Sequence, residues 1–203
     1  MGHRALVAYR RPDRRYDIRD SHWGGDGVSL GDRITAETPL ADGAVDPDLL
    51  ANAIDRERIL TAHLDPCIYE LLYLVSPGAD YRISAYRVCW LEWGDGREDG
   101  RGAIVAVADD AADRRVRTWF RATKTALADA IEMGALSRRA AQAYLEARVC
   151  EDEDGTVYTY GASEEDDSSY TPTPDRWLAD ERVREDRGNR DYRENDDEAG
   201  NNT

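Results

Sequence analysis

A β-hairpin at the start of the chain constrains everything that follows. Residues 4–10 put Ala5, Val7 and Tyr9 on one strand face and Leu6 and Ala8 on the other. Side chains alternate along a strand, so both faces of this one are apolar, as in a strand inside a sheet. Pro12-Asp13 supplies a turn. Residues 15–23 alternate again, with Tyr16, Ile18, Asp20 and His22 set against Asp17, Arg19, Ser21 and Trp23. Gly24-Gly25 ends the run. A turn centred on Pro12-Asp13 sets His3 nearly opposite His22 at the open end, with Cβ atoms about 5 Å apart.

The rest of the chain supplies partners for this hairpin. Residues 24–45 are rich in Gly, Asp and Thr and read as a long loop. Asp46-Pro47 predicts a helix start, with Leu49, Leu50, Ala53, Ile59, Leu60 and Leu64 on one side and Asp65-Pro66 as the stop. The run CIYELLYLV at 67–75 predicts a strand buried on both faces. Ser76-Pro77-Gly78 turns the chain into a second long strand, Tyr81 to Trp93. A polar loop from Gly94 to Gly102, with Gly94-Asp95-Gly96 as a hairpin turn, precedes a short strand at Ala103–Ala108. Val116, Phe120, Leu127 and Ile131 recur at helical spacing up to Gly134. Ser137 caps a second helix carrying Ala141, Leu145 and Val149, and Thr156–Tyr160 adds an edge strand.

The order ββ-α-βββ-αα-β predicts an α+β fold: two layers, a mainly antiparallel sheet of five to six strands, and helices on one face. Residues 1–160 form the expected domain. Charge marks its end. Residues 1–150 hold 24 acids and 21 bases, whereas residues 151–203 hold 18 acids and only 6 arginines. Residues 161–203 are therefore expected to be a disordered acidic tail. No long apolar run could cross a membrane and no signal peptide precedes the hairpin, so a cytoplasmic location is expected. An acidic surface disfavours direct nucleic-acid binding. Three separated cysteines, Cys67, Cys89 and Cys150, read as buried free thiols.

Few residues carry chemistry. Asp20 and His22 share a strand face and suit a hydrogen-bonded general base, while Ser21 points away, so the three make no serine triad. The bland alternative is that His22 and Trp23 end the strand and pack beneath the loop. His3, His22 and His63 are the candidate metal ligands, although their spacing matches no known metal motif. Glu70 and Glu92 sit in apolar strands and could do acid–base work, or pair with Arg4, Arg82 or Arg87. Trp23, Trp90, Trp93 and Trp119 are candidates for an aromatic binding surface or for core. The glycine runs match no phosphate-binding loop, and no cofactor is expected.

The start MGHRALVAY with SHWGG, together with the helices of FRATKTALADAIEMGALSRRAAQAYLEARV, resembles an uncharacterised haloarchaeal protein family with no assigned function. The resemblance implies a halophilic origin and no activity. The composition agrees with it: 26 of 27 basic residues are Arg and 27 of 42 acids are Asp. At molar salt the Debye length is about 3 Å, so dense acid is tolerated. The expected function is a soluble, non-enzymatic protein-interaction domain with an acidic tail. Two alternatives stand beside it: a hydrolytic or metal-dependent enzyme centred on His3, His22 and Asp20, and an acidic nucleic-acid mimic that binds a basic protein.

Overall fold

The hairpin forms, as β1 (Arg4–Arg10) and β2 (Tyr16–Ser21). The computed structural model describes residues 3–78, 81–94 and 99–161. A short helix α1 (Ser29–Arg33) follows, then strand β3 (Ala51–Ile54). Helix α2 (Arg56–Arg58) runs on as a π-helical turn, Ile59–His63. Strands β4 (Tyr69–Ser76), β5 (Arg82–Trp90) and β6 (Arg101–Val107) come next. Helices α3 (Asp110–Glu132) and α4 (Arg138–Glu153) precede the last strand, β7 (Thr156–Thr159).

One sheet holds seven strands in the order β3-β2-β1-β4-β5-β6-β7. Only β1 and β4 run parallel; every other pair is antiparallel. β1 lies inside the sheet and is covered on both faces, so Ala5, Leu6, Val7 and Ala8 are all buried. On one face Val7, Leu71, Tyr73 and Val105 pack with Val116 and Leu127 of α3 and with Ala141, Leu145 and Val149 of α4. On the other, Leu6, Ile18, Leu72, Val88 and Ile104 pack with Ile59 and Leu64. Each such Leu, Ile or Val contributes roughly 1.5–3 kcal/mol by leaving water. Both long helices start on side-chain caps. Asp109 accepts from the Ala112 amide (2.8 Å) and Ser137 from the Ala140 amide (3.1 Å).

The structure corrects several expectations. Asp46-Pro47 does not start a helix. The Asp46 carboxylate accepts from the Asp48 amide (2.9 Å), which makes a local turn. The Asp46 and Leu50 amides then donate to the Asp20 and Ile18 carbonyls (2.8 Å each). Backbone pairing with β2 thus takes this segment into the sheet as β3, which raises the strand count to seven. Helical structure in the segment begins only at Arg56, and Ile59 and Leu64 bring it against the second sheet face. Helices therefore do not keep to one face. The expected loop at 24–45 contains α1. The strand expected from residue 67 starts at Tyr69, because Asp65 Oδ1 holds the Cys67 amide in a turn (3.0 Å). Cys67 is consequently exposed; Cys89 is buried and Cys150 half-buried. Strand β5 stops at Trp90, short of Trp93. The expected turn at Gly94-Asp95-Gly96 falls partly, and the acidic tail beyond Gly161 wholly, outside the described residues. Among the described residues, no helix is long and apolar enough to cross a membrane.

Candidate functional site

After β2 the chain makes a tight loop, Ser21 to Val28, against the start of β1. Its glycines are needed for close approach. A Cβ on Gly25 would lie 2.5 Å from the Arg4 carbonyl oxygen, and one on Gly24 would collide with Leu30 Cδ2. The Gly25 amide donates to the His3 carbonyl (2.8 Å). From below, the Tyr73 hydroxyl reaches the carbonyls of Gly24 (3.1 Å) and Gly27 (3.0 Å). Burial pushes the Tyr73 phenol well above its ordinary range, which keeps it a donor. Arg87 Nη1 donates to the Gly25 carbonyl (3.3 Å) and to the Glu70 carbonyl (3.0 Å). Arg117 holds the Asp26 carbonyl (3.1 Å), and Asp110 accepts from the Val28 amide (3.2 Å).

Arg87 can do this because it is itself fixed. Its Nε and Nη2 meet the two oxygens of Asp113 at 2.6 and 2.7 Å, a fork-to-fork pair. The side chains are 4% and 3% exposed, so the pair is isolated from water. An arginine from β5 and an aspartate from the first turns of α3 thus join sheet, helix and loop.

The pinned loop turns Trp23 outward. Its side chain is 75% exposed, in contrast to the expectation that it packs beneath the loop. Trp23 lines an open groove of about 760 Å³ together with Asp20, Asp26, Asp46, Pro47 and Asp110. The Asp20 side chain is only 8% exposed. Its Oδ2 takes the Arg4 guanidinium at 3.0 Å. Its Oδ1 is buried with no hydrogen-bond donor among the described residues.

The six sequence candidates separate into different settings. His3 and His22 do not face each other. The ladder runs from Ala5↔Ser21 to Arg10↔Tyr16, so its extension puts Arg4, not His3, opposite His22. A shift of one residue moves a side chain to the other face of the sheet. His3 Nδ1 instead meets Glu70 Oε1 at 2.7 Å, and Glu70 Oε2 meets Arg87 Nη1 at 3.3 Å. His22 Nδ1 accepts from Arg4 Nε (3.3 Å) and lies 3.7 Å from Asp20 Oδ2. Arg4 bridges Asp20 and His22. His63 ends the π-helical turn, where burial, and then Arg58, lower its pKa. Glu92 is buried just beyond β5, and its Oε1 accepts from the Arg101 amide and from the Asp99 amide (3.3 Å). Among the described residues, no group of three or more His, Cys, Asp or Glu side chains is placed to hold a metal ion.

The tryptophans divide too. Trp90, Trp93 and Phe120 surround Lys124, whose Nζ lies 4.3 Å from the Trp90 ring centroid and 5.7 Å from each of the other two. Burial pushes the Lys124 ammonium down to about 8. Trp119 packs against Phe120. Sequence reasoning did not single out Tyr73, Asp113 or Arg87 as anchors of the loop. An arginine next to the apolar run Val88-Cys89-Trp90 was the available signal for Arg87.

Sheet, pinned glycine loop and groove together define an α+β domain with a mainly antiparallel seven-stranded sheet and an exposed aromatic at one end. The chain belongs to DUF6735, a family of unknown function, whose model matches residues 1–44 and 41–158. No curated protein and no solved structure matches it.

Proposed function

We propose that the chain is a non-enzymatic binding module that engages a protein partner through Trp23 and the groove beside it. The observation that carries this reading is the exposure of Trp23 on a loop anchored by buried groups. Tryptophan is among the residue types that most often anchor protein interfaces, and a preorganised segment loses little freedom on binding. Here Tyr73, Arg87, Asp110 and Arg117 all hold loop backbone, so little ordering remains to be done on binding. Two observations weigh against the enzymatic alternative. Arg4 occupies His22 Nδ1, and His3 belongs to a separate cluster with Glu70. The acidic residues 162–203 add a second, electrostatic means of contact in this proposal, independent of the groove.

The test is quantitative affinity capture from the source cells with three baits: wild type, Trp23→Ala and Met133→Ala. Met133 is also exposed and lies at the far end of α3, so it serves as the surface control. A partner enriched by wild type and Met133→Ala but lost with Trp23→Ala is the expected result. Identical protein sets from all three baits would refute the proposal.

A further inference from the structure

We propose that the sheet end opposite the Trp23 loop binds a small, multiply charged anion of the phosphate class through Arg10, Arg14 and Arg82 around Ser76. Three neighbouring strands place these groups. Ser76 ends β4 and pairs with Arg82 at the start of β5. β1 runs parallel to β4 with Tyr9 beside Val75, so the next step sets Arg10 beside Ser76. Leu6, Ala8, Leu72 and Leu74 belong to the second core face, and alternation carries Arg10 and Ser76 onto that same face. Arg82 joins them as the cross-strand partner of Ser76. Adjacent strands lie about 4.8 Å apart, so two arginines flank one serine hydroxyl with backbones about 10 Å apart. Arg14, left-handed at φ 70° in the β1–β2 turn, brings a third arginine to the same cavity of about 430 Å³.

Their charges are uncompensated. The chain holds 42 acids against 27 bases, and other arginines take carboxylates, as Arg4, Arg87 and Arg101 do. Arg11 also lines this cavity, but it pairs with Asp13 and Asp17. Arg10, Arg14 and Arg82 are exposed and have no carboxylate partner among the described residues. No acid stands among the described lining of the cavity. Three guanidinium groups exceed what one carboxylate can satisfy. A phosphate-class anion offers several oxygens and more than one charge, and it takes arginine forks side by side. The surroundings set its size. A long polyanion meets the field of a chain with net charge −15. A small anion in physiological salt senses mainly the charges within a Debye length of about 8 Å. The cavity volume also falls in the range of small-molecule sites.

The probe is inorganic pyrophosphate, titrated calorimetrically into the full chain at pH 7 with KCl holding the ionic strength constant. One saturable site is expected. Arg10→Gln and Arg82→Gln are each expected to weaken it about tenfold, the worth of a charge-assisted hydrogen bond. Arg139→Gln removes the same charge from an exposed position on α4 and is expected to leave the affinity unchanged. Both site arginines are exposed, so their variants are expected to keep the wild-type circular dichroism spectrum. Absence of saturable binding, an unaltered affinity in Arg10→Gln and Arg82→Gln, or an equal loss in Arg139→Gln overturns the inference. So does a DNA duplex that binds more tightly than pyrophosphate and is lost in the same variants, which would make the cavity a nucleic-acid contact. The outcome is separate from that of the Trp23 baits, because these residues lie at the other end of the sheet.

Discussion

Replacing Arg87 by Met is the most informative perturbation of the scaffold. The substitution keeps an unbranched side chain of similar length but removes the charge from a site that is 4% exposed. Asp113, 3% exposed, then loses both its 2.6 Å and 2.7 Å bonds. Its nearest remaining cation is Arg117 Nη1 at 3.9 Å. Breaking a buried pair from one side costs about 3–5 kcal/mol, because the other charge is left without compensation. The carbonyls of Gly25 and Glu70 lose a donor as well. For a domain of this size such a loss lowers Tm by roughly 10 °C. The double variant Arg87→Met/Asp113→Leu removes both charges and is expected to recover most of the lost stability, since buried pairs exchanged for apolar groups are often near neutral. Urea unfolding followed by far-ultraviolet circular dichroism at pH 7 measures both, with an unchanged m-value as the sign that only stability has moved. A cost below about 1 kcal/mol for the single variant, or a double variant no better than the single, would refute the argument that this ion pair holds sheet, helix and loop together.

Two further predictions follow from particular contacts. Gly25→Ala sets a methyl group 2.5 Å from the Arg4 carbonyl oxygen and is expected to cost about 1–3 kcal/mol, with faster hydrogen exchange at the loop amides from Gly24 to Val28. Lys124 has a folded pKa of about 8, below the roughly 10.4 of an unfolded lysine. Between those values the unfolded chain binds the extra proton, so this group makes stability rise with pH across that window. Lys124→Met is expected to be the more stable protein at pH 7 and to lack that rise. The difference between the two proteins is the quantity to measure, because Cys89, pushed up to about 12, contributes in the opposite sense above pH 9 in both. A stability difference that does not change between pH 7 and 10.5 would contradict the lowered lysine pKa.

The parts of the fold legible in the sequence are those fixed by local pattern. Ala5, Leu6, Val7 and Ala8 announce a strand buried on both sides, and they occupy its centre. The Ser137 cap and the apolar stripe of α4 are likewise local signals, and both are present. What the sequence hid depends on partners distant in the chain. Leu49, Leu50 and Ala53 fit a helix stripe, yet the Asp20 and Ile18 carbonyls recruit this segment as β3. The His3–His22 expectation failed on one residue of loop. The turn between β1 and β2 is Pro12-Asp13-Arg14, closed by the Arg11 amide on the Arg15 carbonyl (2.7 Å), with Arg14 left-handed at φ 70°. A three-residue loop is centred on Asp13, which moves His22 from His3 to Arg4. The site was half legible. Asp20 and His22 do line a groove, but the loop that carries Trp23 is held by Tyr73 and Arg87, which lie 46 or more residues further on.

In the proposed function the glycine loop presents Trp23 to a partner. This role is tested most directly by replacing Trp23 with a photo-crosslinking benzophenone side chain in the full chain and irradiating within the source cells, with the same group at Met133 for comparison. One discrete heavier adduct from position 23, none from position 133, and loss of that adduct when Arg87→Met releases the loop are the expected results. No adduct from position 23, or the same adducts from both positions, would contradict that role.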